Sequence, residues 1–261
     1  MKTKIMGILN ITPDSFSDGG RFLNIDAAVR HALQMQQDGA DIIDIGGESS
    51  RPNAAPVSVS EEIRRVIPVI QKLRSLLQIP ISIDTTKPEV AAAALNVGAR
   101  IINDITGFSS DEMIRVACDN RAAVVVMHMQ GTPQTMQKSP VYADVVGEII
   151  SFFKERIKKL KTAGIDEITI DPGIGFGKTL AHNLEIFRNI DKFCALGYPV
   201  LIGASRKSFI SGISGVGLDD RLSGSLAGAC ASVLKGASVV RVHDVKETRR
   251  ALDIVDAIKA K

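Results

Sequence analysis

The stretch PISIDTTKPEVAAAALNVGARIIND, residues 80–104, reads as strand, helix, glycine, strand. Pro80 to Ile83 and Arg100 to Ile102 are short, β-branched apolar runs, and the segment between them finishes at Gly98, a residue that ends a helix in left-handed conformation before the next strand begins. Gly39, Gly164, Gly197 and Gly236 repeat the same stop elsewhere in the chain. Further apolar runs lie at Lys4 to Leu9, Asp41 to Ile45, Ala123 to Met127, Glu167 to Ile170, Pro199 to Ile202 and Ser238 to Val242, which makes eight predicted strands. Helical spacing fills the intervals, as at Ile63, Ile67, Ile70 and Leu73. Most runs are continuously apolar rather than alternating, as in parallel strands covered by helices on one face and by a packed interior on the other. Eight strands alternating with helical segments, five of which stop at glycine, in 261 residues predict an α/β protein, a (β/α)8 TIM barrel, with residues 1–261 forming a single domain.

Composition narrows the function classes. Hydrophobic residues at 45% and charged residues at 23% are ordinary globular usage, which excludes collagen-like and disordered chains. The net charge is only +3 and is scattered, so no basic footprint for nucleic acid is present. With no Trp and 4% aromatic residues there is little from which to build base-stacking platforms. Cys118, Cys194 and Cys230 are widely spaced without a CxxC and are expected to be small buried hydrophobes, not a zinc site or disulfides. The N-terminal stretch MKTKIMGILN is too short in apolar residues for a signal peptide, and no run approaches the roughly 18 apolar residues of a membrane span. A soluble, cytoplasmic protein without membrane or nucleic-acid partners is expected.

In a barrel of this kind the active site forms at the C-terminal ends of the strands. Reading the residue after each run yields Asn10, then Glu48, Ser50 and Arg51, then Asp84, Asn103 and Asp104, His128, Asp171, the group Ser205 to Ser208, and finally Arg241 and His243. A single Asp or Asn after a strand is commonly a helix cap. Polar groups at all eight strand ends suit a heterocycle with several donors and acceptors, while Arg51, Lys207, Arg241 and His243 suit an anionic leaving group. The long polar connections at Pro52 to Ser60, Gln130 to Pro140 and Gly203 to Gly217 are expected to be active-site loops, the last of them flexible. DPGIGFGKT, residues 171–179, is not a Walker A motif, because Pro172 occupies the first glycine position. Nor is it a dinucleotide fingerprint, because Lys178 occupies the third. Its glycines are expected to let the backbone turn tightly and present Phe176 to a ligand.

Seven ordered segments resemble the dihydropteroate synthases, pterin-binding enzymes of the folate pathway, along essentially the whole chain. They are GILNITPDSFSDGG at 7–20, GGESSRP at 46–52, SIDT at 82–85, IND at 102–104, DPGIGFGK at 171–178, ASRKS at 204–208 and RVHDV at 241–245. The resemblance implies condensation of 6-hydroxymethyl-7,8-dihydropterin pyrophosphate with 4-aminobenzoate to give 7,8-dihydropteroate and pyrophosphate. It further implies that the C–O bond breaks early and that the neutral amine attacks a methylene cation, so no activated side-chain nucleophile is needed. In such a site Asp84, Asn103, Asp171, Lys207 and Arg241 hold the pterin. Asn10, Arg51, Arg241 and His243 hold the pyrophosphate, with Asn10 also a ligand of Mg2+. Phe16, Ser50, Pro52, Phe176, Lys207 and Ser208 surround the aminobenzoate, its carboxylate near Ser208 and the helix that follows. Asp84, Lys207, Arg241 and His243 are the expected catalytic residues.

Ser50 stands where the family usually has threonine, which keeps the hydroxyl and loses a methyl contact to aminobenzoate or its sulfonamide mimics. Asp14, Ser17, Gly19 and Gly20 suit a loop that folds over bound substrates. The methyltetrahydrofolate-binding methyl-transfer barrels share the pterin-recognising acids and amides but not the TPDSFSDGG and SRKS segments, and a pterin-binding paralogue without turnover is the other alternative. The family commonly forms homodimers through late helices, and SGSLAGACASVLKGA at 223–237 suits either such packing or packing against the barrel.

Overall fold

A computed structural model describes residues 2–11, 21–49 and 55–260. Strands and helices alternate: β1 (Lys4–Asn10), α1 (Arg21–Gln37), β2 (Ile42–Gly46), α2 (Val59–Leu73), β3 (Ile81–Asp84), α3 (Pro88–Val97), β4 (Ile101–Asp104), α4 (Asp111–Asp119) and β5 (Ala123–Met127). There follow α5 (Val145–Thr162), β6 (Ile168–Asp171), α6 (Leu180–Arg188), α7 (Ile190–Cys194), β7 (Leu201–Ile202), α8 (Ser208–Ser214), α9 (Leu222–Leu234), β8 (Val239–Val242) and α10 (Val245–Lys259). The eight strands are parallel and ordered β6-β5-β4-β3-β2-β1-β8-β7. One parallel bridge, Ile170 to Val200, with the Ile170 N–H donating to Pro199 O at 2.9 Å, joins β6 to β7 and closes the barrel. This is the TIM barrel the strand count predicts. Gly39, Gly98, Gly164, Gly197 and Gly236 all take positive φ at the helix ends, between 82° and 130°.

Two apolar layers hold the fold. Between strands and helices, Ile5, Ile43, Ile45, Val66, Ile70 and Ile83 are fully buried. Inside the barrel a smaller layer of Met6, Ile42, Val125, Leu201 and Val239 fills the end from which the strands begin. Because side chains alternate along a strand, the next inward positions are two residues on: Asp44 follows Ile42, Asn103 follows Ile101 and Arg241 follows Val239. The interior is therefore apolar at the end from which the strands begin and carries Asp44, Asn103 and Arg241 where they finish.

Two expectations change. The connection from Gly203 to Gly217 carries the helix α8, capped by Gly215 in left-handed conformation, and so is not loop throughout. The three cysteines are half-buried in the outer layer, unpaired by disulfides, with Cys118 Sγ donating to Ala163 O at 2.9 Å.

Candidate active site

The strands deliver their last residues to one mouth. Asn10, Asp84, Asp104 and Asp171 end β1, β3, β4 and β6, while Asn103 lies one residue before the end of β4. Arg241 sits within β8 and not after it, so its side chain projects into the barrel. A narrow cleft gathers Asp84, Asn103, Asp171, Lys207 and Arg241. Phe176, Met127 and Ile105 supply its apolar wall.

Arg241 organises the floor. Its Nε donates to Asp44 Oδ2 at 2.6 Å and an Nη donates to Asp84 Oδ2 at 2.6 Å. Asn103 Nδ2 donates to the same Asp44 oxygen at 3.0 Å. Burial opposes the charge on Arg241, but Asp44 and Asp84 outweigh it and hold its pKa above the ordinary arginine value. Burial pushes the Asp84 pKa up to about 7, against the guanidinium and helped by the neighbouring carboxylates Asp44, Glu62 and Asp104. Asp44 is wholly buried and among the described residues its Oδ1 has no hydrogen-bond partner, as is true of the Ser82 hydroxyl on the adjoining strand.

The far wall is built from the Gly-rich turn and the start of α8. Asp171 Oδ1 accepts the Gly173 N–H at 2.8 Å, and burial raises the Asp171 pKa while Lys207 opposes the rise. Lys207 Nζ donates to Ile174 O and lies 4.4 Å from the centre of the Phe176 ring, a cation–π contact. Burial pushes its pKa down to about 8, with Asp171 working in the other direction. The turn has a buried foundation in Lys178, whose Nζ donates to Phe176 O at 2.8 Å and His128 O at 3.2 Å and lies 3.2 Å from His128 Nδ1. Burial lowers the Lys178 pKa to about 7, and burial with the Lys178 charge lowers that of His128 to about 3, so the imidazole is neutral. At Gly173, where φ is +72°, a Cβ would stand 2.0 Å from His128 O. Only glycine fits, because the turn presses its backbone against the β5 end.

Beside the cleft, His243 follows β8. Its N–H donates to Ser205 Oγ at 3.2 Å, and its Nδ1 lies 3.0 Å from that oxygen. Ser208 begins α8 at the surface. On the β2 side, Glu48 accepts the Val57 N–H at 3.2 Å and also pairs with Lys87, whose ammonium bridges to the buried Glu62. The expected site residues Phe16, Ser50, Arg51 and Pro52, and Asp14, Ser17, Gly19 and Gly20 of the suggested closing loop, lie outside the described residues.

The structure thus brings Asp84, Asn103, Asp171, Phe176, Lys207 and Arg241 to one cleft. Asp44 and Lys178 belong to its framework although neither follows a strand. The signal for Asp44 was available as a charged residue inside the otherwise apolar run IIDIG. Among the described residues no cluster of three or more His, Cys, Asp or Glu side chains could hold a metal alone. Asn10 offers a hard amide oxygen at the β1 end, a donor set that fits Mg2+ carried mainly on phosphate oxygens and water.

A family model described as pterin binding enzyme matches residues 6–243. The chain is 48% identical over 255 residues to the dihydropteroate synthase of Escherichia coli (strain K12), covering 97% of this chain and 90% of that one. It is also similar to a solved structure of Xanthomonas albilineans dihydropteroate synthase with 4-aminobenzoic acid, with a TM-score of 0.93, 44% identity, and 100% and 94% of the two chains covered. Against that enzyme in complex with 7,8-dihydropteroate the TM-score is 0.90 at 42% identity, covering 100% and 95%.

Proposed function

The chain belongs to the pterin binding enzyme family, and from that membership we infer that it is a transferase of folate biosynthesis. Its reaction condenses 6-hydroxymethyl-7,8-dihydropterin pyrophosphate with 4-aminobenzoate to give 7,8-dihydropteroate and pyrophosphate. The observation that carries the reading is the cleft in which Asp84, Asn103, Asp171, Lys207 and Arg241 converge. The aminopyrimidinone edge of a pterin offers adjacent N–H donors, which the Asp171 carboxylate accepts, while Asn103 supplies a donor and an acceptor and Asp84 meets ring nitrogens. Lys207, cationic below about pH 8, donates to the pterin carbonyl or ring nitrogen. Arg241, held by two carboxylates, presents its planar guanidinium to the ring.

Loss of pyrophosphate develops negative charge, which Arg51, Arg241 and His243 are suited to meet with donors. Asn10 would hold the Mg2+ that neutralises the phosphate charge. The arylamine attacks as the neutral base with its own lone pair, so the chain's task is to orient the two substrates and exclude water. Phe16, Ser50, Pro52, Phe176, Lys207 and Ser208 are proposed to surround the aminobenzoate. Exposed Leu222 and Leu234 on α9 and Ile254 and Ile258 on α10 support a homodimer paired through these adjacent helices, which sedimentation of the purified chain tests.

The deciding experiment is product formation from the two substrates with Mg2+, with EDTA-treated protein and Lys207→Ala as controls. Magnesium-dependent dihydropteroate, lost in both controls, is the expected result. Pterin binding without product would sink the condensation and leave a methyl-transfer or non-catalytic role.

A further inference from the structure

Ser205 and His243 lie on neighbouring strand-end loops, and their contact fixes more than position. Ser205 is buried, with 6% of its surface exposed. Its Oγ accepts the His243 backbone N–H at 3.2 Å and stands 3.0 Å from His243 Nδ1, and among the described residues it has no other hydrogen-bond partner. A serine hydroxyl has one proton and two lone pairs. The backbone N–H occupies one lone pair. Were Nδ1 protonated, it would take the other, and the buried hydroxyl proton would have no acceptor among the described residues, an arrangement folded proteins avoid. With Nδ1 bare, the hydroxyl donates to it and every group is satisfied.

We propose that Ser205 is a positioning residue that fixes the His243 imidazole as its Nε2–H tautomer, so that the nitrogen turned away from Ser205 is a hydrogen-bond donor for the departing pyrophosphate. No proton transfer is implied. The imidazole then carries its N–H on the side away from Ser205, and no other tautomer must be displaced first. The reading of this site as the pyrophosphate end rests on the proposed function, whereas the tautomer does not.

The contact is held in register by the next residue on each loop. Arg206 Nε donates to Asp244 Oδ2 at 3.1 Å, and an Nη of the same guanidinium pairs with Oδ1. Arg206 has φ +56°, a left-handed conformation that a non-glycine residue keeps only when its surroundings impose it. Here the Arg206 N–H donates to Ser225 Oγ at 2.9 Å and its carbonyl accepts from Arg221 at 2.8 Å. The twist places Ser205 under the imidazole on one side and sends Lys207 to the cleft on the other.

The chain has four histidines, so the tautomer is directly observable. Two-bond 1H–15N correlation spectra of the full-length protein labelled with 15N-histidine, recorded about two pH units above the ordinary imidazole pKa, are expected to show His243 with a bare Nδ1 and a protonated Nε2. His243→Gln identifies the signal. In Ser205→Ala the two tautomers should mix and kcat fall roughly tenfold, as for other residues that orient a histidine, with KM for aminobenzoate unchanged. Ser205→Thr, which keeps the hydroxyl, should restore both. A protonated Nδ1 in the wild-type spectrum overturns the proposal, as does a Ser205→Ala protein whose tautomer and kcat both match wild type. The spectrum needs no substrate, so a chain that makes no dihydropteroate but shows the bare Nδ1 refutes the proposed reaction and leaves the tautomer standing.

Discussion

Arg241 Nε stands 2.6 Å from Asp44 Oδ2, and the two residues belong to β8 and β2, the strands on either side of β1. The ion pair crosses the barrel interior above the apolar layer, so it ties the fold to the floor of the cleft. Removing one member of a buried pair leaves an uncompensated charge and costs about 3–5 kcal/mol. Asp44→Ala should fall at the lower end, about 3 kcal/mol, because Asp84 remains as a partner for Arg241. Urea unfolding checks it, and a loss below about 1 kcal/mol would show that the pair does not anchor the barrel.

Asp171 is the carboxylate that faces the cleft with one oxygen already engaged by Gly173. Asp171→Ala should abolish binding of the pterin substrate in calorimetry, while Asp171→Asn, which places a donor against donors, should bind only weakly. Retained affinity in the alanine variant would falsify the assigned role.

Burial sets the Lys207 pKa near 8, and in the proposed reaction the ammonium form is the one that donates to the pterin. Pterin affinity should therefore decline by up to tenfold per unit above that pH. In Lys207→Arg the decline should vanish, since arginine keeps its proton throughout the accessible range. Titration of the dissociation constant between about pH 6 and 10 decides it.

Lys178 carries a native pKa of about 7 against an ordinary 10.5. Between those values the unfolded chain binds the proton and the native chain does not, so native stability rises with pH across that window and the full penalty applies below it. Relative to Lys178→Met, which has no such term, wild-type stability should climb from pH 7 to pH 9 by up to about 1.4 kcal/mol per unit. A difference that is flat or falls with pH would mean that Lys178 stays charged in the fold.

The alternation of helix, glycine and strand was legible along the chain because each unit is local: a 3.6-residue period, a stop and a short apolar run. Strand-end residues followed from it, and Asp84, Asn103 and Asp171 emerge in one cleft for that reason. The inward direction of Asp44 and Arg241 was not legible. Parallel strands buried on both faces show no alternation of polarity, so IIDIG and VVRV do not announce which side holds the charge. Nor does local sequence pair residues 197 positions apart.

The eight units and the chemical character of their ends follow from the order of residues along the chain. Which of those ends face one another is set by long-range packing. Pairing of β1 with β8 brings the last strand beside the first, the bridge between Ile170 and Val200 joins β6 to β7, and burial then turns ordinary side chains into a guanidinium clamp, a buried lysine foundation and a serine-held imidazole. Burial and pairing depend on groups distant in the chain, and their energies exist only once water has been removed from between them.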